Sequence, residues 1–486
     1  MTSQPEDSVL PRERGDVSGS ERVRRRWFRG AVGVDPSTGE VGPLDVVVDD
    51  ETIQFIGRPV GAAVAGLPGP PDAARDASVI DVSGSLVLPA LVDLDVTLPS
   101  EAAAATPAEA AAHLAREAAQ GGVATVAVRP DPSEEAEDPL RFLRRVSEVQ
   151  HALESLRRRA EGRPADHDSG ARIETALRLR PLVPAWWIDG ETVWSDLEAC
   201  RQRGAAGVYL PSTPGLEPRR WPGLLRSVPV DLPIFASLAD PTIDAPTATV
   251  HAGEWSARLG LAGRSATAEA AGVDRWRRLV EDQPDLAGRV VLWRLSTQRG
   301  LEALREIEGR AEQGSEAATG GDPLLRVTVS PSHVGLDESD AFPAALADPA
   351  GWRLDPPLRT AADRLALRAA LFGERPLQSL WLASGHRWIP ASQRDLTWEE
   401  TPPGAQLLSV AFRVASAAAL EEAATSGGWS VNPTSILPRL AAVASHGPGR
   451  LLGLPPGPAA GDPVARLLLA RPEPGRGLLP IRVGRS

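Results

Sequence analysis

From Trp27 to about Pro89 the chain alternates apolar and polar positions in short runs. "LDVVVDD" and "TIQFIG" have strand spacing, "DPSTGE" reads as a turn and "GLPGPPDAARD" as a loop, so this stretch predicts a small β domain. Beyond Pro89 the rhythm changes to strand, helix, strand. Thr106, Pro107 and Glu109 form a strong helix start, with Thr106 as N-cap, Pro107 at the first helical position and Glu109 closing a capping box. That helix ends at Gly121, and "VATVAV" follows as a buried strand. Leu140, Leu143, Val146, Val149, Leu153 and Leu156 then share one face at helical spacing. "LRLRPLVPAWW", "AGVYL", "PIFAS", "RVVLW", "LRVTVS" and "LQSLWLAS" are further strands, most of them followed by an amphipathic stretch such as "TQRGLEALREIEGRAEQ".

This repeat predicts an α/β chain built as a (β/α)8 TIM-like barrel, with the short strands of "DPVARLLLARPEPGRGLLPIRVG" completing the β domain begun at the N-terminus. The expected organisation is a disordered polar arm over residues 1–26, the N-terminal portion of the β domain over 27–89, the barrel over 90–455 and the C-terminal portion of the β domain over 456–486.

Composition removes several function classes. With 42% hydrophobic residues and no apolar run of membrane-spanning length, no membrane association is expected. The N-terminus lacks an apolar signal region, which predicts a cytoplasmic location. The net charge is −12 and the basic cluster Arg22–Arg26 sits on the arm, so nucleic-acid binding is not expected. Cys200 is the single cysteine, which rules out an intramolecular disulfide and a cysteine zinc cluster. There is no lysine, so all 52 basic residues are arginine. No side chain can therefore act as a Schiff-base amine or a carboxylated-lysine metal bridge.

Several phrases in order resemble the dihydroorotase and allantoinase branch of the cyclic amidohydrolases. They include "VIDVSGSLVLPALVDLDVTL", "AAQGGVATVAVRPDPS", "GEWSARLGLAGRSATAEA", "RLSTQRG", "VSPSHVGLDE", "DPPLRTAADRLAL" and "PGRLLGLPPGPAAGDPVARLLL". The resemblance runs from about Trp27 to Ala470. It implies a metal-bearing barrel flanked by a small β-sandwich built from both chain ends, hydrolysing a cyclic amide with zinc-bound hydroxide. Zinc needs three or four donors converging near 2 Å, with one position open for water.

Carried over position by position, the family's donors are replaced. The paired histidines after the first barrel strand fall on Asp95 and Thr97, and the substrate-binding arginine falls on Pro99. The asparagine of "MPN" falls on Asp131, and the histidine before "EDP" falls on Ser237. The "HLST" histidine falls on Arg294, the catalytic aspartate and its neighbouring histidine on Ser384 and Gly385, and the "NPPLR" asparagine on Asp355. No Asp, Glu, His or Lys lies between Val208 and Gly215, where a bridging ligand is expected. A guanidinium about 4 Å from a divalent ion costs about 8 kcal/mol at an effective dielectric near 20, comparable to a micromolar binding energy. Asp131 and Asp355 are expected to repel an anionic dihydroorotate.

Other residues invite sharper readings. His333 and His386, at predicted strand ends, could with Asp95 form a substitute metal site, and His251 is weighed as a further ligand; hydrogen-bonded loop or core histidines are the blander reading and the preferred one. His251 lies by the barrel mouth, His113 and His151 on predicted helices, and His167 and His446 by loops; solvent exposure is expected for the last four. Ser237 and Ser384 lack an identifiable base and a nucleophile elbow. Cys200 reads as a packing residue, and Trp293 and Trp381 as rings filling space beside former ligand slots.

The expected function is that of a dihydroorotase-like pseudoenzyme with no cofactor. The resemblance implies a non-catalytic role in pyrimidine biosynthesis, holding the aspartate carbamoyltransferase catalytic subunit within a homo- or hetero-oligomer. The alternative is an active zinc-dependent hydrolase of dihydroorotase, hydantoinase or allantoinase type with a rearranged metal site.

Overall fold

Strand β1 (Arg25–Val34) organises the small domain. The computed structural model describes residues 25–58, 77–99, 106–131, 137–161, 177–189, 191–211, 218–240, 242–244, 248–312, 323–342, 345, 349–426, 436–473 and 476–481. β1 pairs antiparallel with β2 (Val41–Asp49), which pairs with β3 (Thr52–Gly57). Its other edge is shared: β4 (Ser78–Asp81) lies parallel to the first half and β5 (Leu86–Pro89) to the second. The division falls at a bulge between Phe28 and Ala31, where Gly30 takes φ +82° and donates its N–H to Asp45 Oδ1 at 3.0 Å.

The barrel strands follow in chain order. β6 (Leu91–Thr97), β7 (Val123–Arg129) and β8 (Arg178–Pro184) are parallel neighbours, and a hairpin of β9 (Trp186–Asp189) and β10 (Glu191–Trp194) leaves the end of β8. β11 (Gly207–Tyr209) and β12 (Ile234–Ser237) continue the sheet. A two-strand excursion, β13 (Val250–His251) with β14 (Gly263–Arg264), precedes β15 (Val290–Trp293), β16 (Arg326–Val329) and β17 (Leu380–Leu382). All seven neighbouring pairs in this eight-stranded sheet are parallel. With helices between the strands, this is the TIM-like barrel the sequence predicts. β18 (Leu467–Glu473) then returns to pair with β5 and carries β19 (Gly477–Ile481) at its outer edge. The strands of the small domain, drawn from both chain ends, form one hydrogen-bonded network that branches at β1.

Local chemistry explains the helix nearest the site. Thr106 Oγ1 accepts the Glu109 N–H at 3.2 Å, Pro107 occupies the first turn, and the chain leaves through left-handed Gly122 after Pro107–Gly121.

Two cores result. Val126, Val128, Val183, Val208, Ile234, Ala236, Val290 and Leu292 pack outward with the helices. The alternate positions Ala127, Leu182, Tyr209, Phe235, Val291 and Trp293 join Val92, Leu94, Trp381 and Ala383 in a separate cluster, which fills the lumen. Trp293 lies 5.6 Å from Phe235 and 6.1 Å from Tyr209 between ring centroids.

No backbone ladder joins β6 to β17; a seam of individual contacts closes the barrel. The Asp93 carboxylate accepts the Ser384 N–H at 3.1 Å, His386 N–H donates to Asp95 O at 3.1 Å, and Thr97 N–H donates to His386 O at 2.8 Å. Among the described residues no helix is long and apolar enough to cross a membrane.

Candidate functional site: a barrel mouth bridged by guanidinium groups

Asp95 stands near the end of β6 with no solvent exposure. Its Oδ1 accepts Arg129 Nε at 3.1 Å from the neighbouring strand β7. Its Oδ2 lies 3.1 Å from Arg294 Nε across the mouth, an ionic contact without hydrogen-bond alignment. Arg129 also sits 5.1 Å above the Trp293 ring, so the aromatic lumen supports the charge layer from below.

Arg294 follows the last residue of β15 in a left-handed conformation, φ +64°, which L-residues with a Cβ rarely adopt. Its N–H donates to Thr328 Oγ1 at 3.0 Å, and Nη1 donates to the Asp355 carbonyl. Gly385, beside it, takes φ +69°, a left-handed backbone that glycine adopts without strain; a Cβ there would meet Arg294 Cδ only at ordinary contact distance, 3.4 Å.

The charge alternation continues outward. Asp355 pairs with Arg264 Nη1, and Arg264 Nε donates to Asp244 Oδ1 at 2.7 Å. Burial pushes the Asp355 carboxyl up, but the guanidiniums of Arg264, Arg294 and Arg129 outweigh it and hold the group well below the usual carboxylate range. Asp131 is clamped by Arg387 Nε at 2.7 Å. The expected repulsion of an anion by Asp131 and Asp355 is therefore corrected, because each carboxylate faces a guanidinium.

The remaining slots are structural in their contacts. Thr97 is buried in the seam, Pro99 is buried, and Ser384 Oγ accepts His386 N–H at 3.1 Å. Ser237 is exposed at the rim. With Arg264, Glu269, Trp293, Arg294, Asp355 and Arg359 it lines a cavity of about 20 Å³, room for one water molecule and not for a substrate ring.

The substitute metal site is also corrected. His386 Nδ1 accepts the N–H groups of Leu407 and Leu408, both at 3.1 Å, so the proton is on Nε2, which faces His113 Nε2 at 3.3 Å. His333 Nε2 faces the Pro357 carbonyl at 3.1 Å. Both nitrogens of His386 are thus engaged away from Asp95. Among the described residues no three His, Cys, Asp or Glu side chains are placed to hold a metal ion. The side chains at the mouth do not fit zinc, since the one carboxylate at its centre already carries two cations. His113, expected to be exposed, is buried and stacks on Trp388 at 4.6 Å. His151 is exposed, His446 half-buried, and His167 lies outside the described residues.

Comparison with known proteins places this geometry. The chain is 27% identical over 356 residues to the dihydroorotase of Pelotomaculum thermopropionicum, covering 71% of this chain and 68% of that one. It is 30% identical over 227 residues to a dihydroorotase-like protein of Pseudomonas aeruginosa, covering 46% and 45%. The D-hydantoinase of a Thermus species superposes with TM-score 0.61 at 17% identity over 92% of this chain and 86% of that chain. The dihydroorotase of Saccharomyces cerevisiae gives 0.51 at 15% identity over 82% and 96%. The chain is thus similar to dihydroorotases in sequence and shares the fold of hydantoinases and dihydroorotases. No family model matches it.

Within this barrel, sequence reasoning missed the partners more than the slots. Glu269, itself buried, accepts Ser296 N–H at 3.0 Å, Thr297 N–H at 2.9 Å and Arg359 Nη2 at 3.2 Å. Arg359 also reaches Ser296 Oγ at 2.9 Å and His251 Nδ1 at 3.2 Å. The phrases "RLSTQRG", "DPPLRTAADRLAL" and "GRSATAEA" are thus tied together by one buried ion pair. Their joint presence in the sequence was the available signal.

Proposed function

We propose that this dihydroorotase-like chain is a non-hydrolytic scaffold of pyrimidine biosynthesis, cytoplasmic and without a cofactor, that holds the aspartate carbamoyltransferase catalytic subunit in a shared oligomer. The observation that carries the non-hydrolytic half is Asp95, whose two oxygens are met by Arg129 and Arg294 at 3.1 Å. A water activated for ring opening needs an open coordination position or a free general base beside a substrate-sized space. The described mouth offers a paired carboxylate and about 20 Å³.

The partner half is supported by the ordered sequence phrases that resemble the dihydroorotase branch together with the replaced ligand slots, a combination that implies a non-catalytic subunit. The barrel itself is intact, with helix caps, a filled lumen and a closed seam, so binding surfaces are available on a rigid body.

Elemental analysis and native mass spectrometry on protein purified from its own host test both halves. The expected result is a complex containing the carbamoyltransferase, substoichiometric zinc, and no hydrolysis of dihydroorotate, hydantoin or allantoin. Zinc near one per chain together with ring opening would replace this reading with that of an active cyclic-amide hydrolase.

A further inference from the structure

The mouth combines a buried carboxylate shared by two arginines with a strained backbone at one of them. We infer that Arg129 and Arg294 are built-in cations: their guanidinium groups tie together the barrel strands at the point where a relative's metal centre would do so. The inference shares with the preceding section only the premise that no metal seats at Asp95, and it is independent of the carbamoyltransferase.

Connectivity carries the argument. Asp95 belongs to β6, Arg129 to β7, and Arg294 to the end of β15 on the far side of the barrel. Two positive charges on one carboxylate therefore link three strands, and the contact from Arg294 to the Asp355 carbonyl adds the loop before the helix Ala361–Phe372. A metal ion bridging the same elements would use donors from strand ends in the same way. The difference is that these cations are covalently part of the chain and need no loading.

Strain at Arg294 is the second, independent observation. A left-handed arginine is disfavoured, and such a conformation persists only where surrounding contacts over-determine it. Here the backbone is held by Thr328, while the side chain is held by Asp95 and Asp355. The chain accepts the unfavourable φ because that geometry aims the guanidinium at the barrel axis.

Chemical rescue of the isolated chain tests this role. Arg294→Ala removes the cation and leaves a space of its shape. The expected result is a lower thermal midpoint that millimolar ethylguanidinium raises, while the same additive leaves the unsubstituted protein unchanged or slightly less stable. A neutral control of similar size, ethylurea, should rescue less. The neutralised variant Asp95→Asn with Arg129→Met and Arg294→Met should recover at least half of the midpoint lost in Asp95→Asn alone, since it strands no charge. The inference is overturned if ethylguanidinium and ethylurea act alike on Arg294→Ala. It is equally overturned if Asp95→Asn matches the unsubstituted protein. Should Arg294→Ala fail to fold, the Asp95→Asn and neutralised variants decide the matter between them.

Discussion

Glu269 and Arg359 show at the residue scale how much a single buried pair is asked to hold. Each side chain is at most 3% exposed, and between them they contact Ser296, Thr297, His251 and the Arg264 carbonyl. Glu269→Gln leaves the Arg359 guanidinium buried without its counter-charge. It should cost about 3–5 kcal/mol of unfolding free energy, measured as a lowered urea midpoint at constant slope. Glu198, fully exposed beside Arg201, supplies the contrast: Glu198→Gln should leave the midpoint where it is. An equal loss from both variants would contradict the assignment of stability to the buried pair.

The same scale shows why some of this was legible and some was not. Asp95 and Arg294 are visible because they fall on recognisable slots within family phrases. Arg129 and His113 carry no such mark. A charged residue ending a strand, or a histidine within an amphipathic helix, reads as solvent-facing until its partner is known. Those partners lie 34 and 273 positions away, at Asp95 and His386. Local pattern fixes which residues are apolar and which are caps, whereas ion pairing depends on how the strands close.

Among elements, the seam between β6 and β17 is the most unusual, because side chains and single bridges replace a ladder. Its pH behaviour follows from the groups that form it. Burial lowers His386 to about 3, with His113 adding to the effect, and burial together with Arg116 lowers His113 to about 4. Both lie below the ordinary 6.5, so the unfolded chain binds more protons in the intervening range. The pair therefore contributes stability that is complete above about pH 6.5 and is lost as pH falls through about 4 to 3. Asp93 opposes this: burial lifts it to about 6, so its contribution is full below the ordinary 3.8 and disappears as pH rises through about 6. With two histidines against one carboxyl, the thermal midpoint should fall between about pH 6.5 and about 4.5. His113→Leu should make that fall shallower, and parallel curves for the two proteins would refute the assignment.

The pattern of apolar positions anticipated the strands and most helices, since alternation and helical spacing are set by which face each element buries. It did not anticipate the branching of the small domain at β1. That arrangement depends on a bulge whose local signal is one glycine, and on two later strands competing for the same edge.

For the whole molecule, the filled lumen distinguishes this barrel from a container. Tyr209, Phe235, Trp293 and Trp381 occupy the interior, and Trp293 also lines the cavity of about 20 Å³ at the mouth. Trp293→Ala should cost about 3–5 kcal/mol, with indole restoring some of the loss in a thermal-shift titration. No stabilisation by indole would mean that the lumen collapses into the gap.

The pairing of β18 with β5 has a consequence for biosynthesis. A ribosome releases β1 to β5 early, yet the partner that completes their sheet is drawn from Leu467–Glu473 and emerges only after every barrel strand has been made. The edge of β5 must wait through that interval, so the small domain completes its sheet only after all the barrel strands have emerged. Synonymous changes that slow elongation within the barrel would lengthen the wait and raise the fraction of nascent chains captured by chaperones at that unfinished edge.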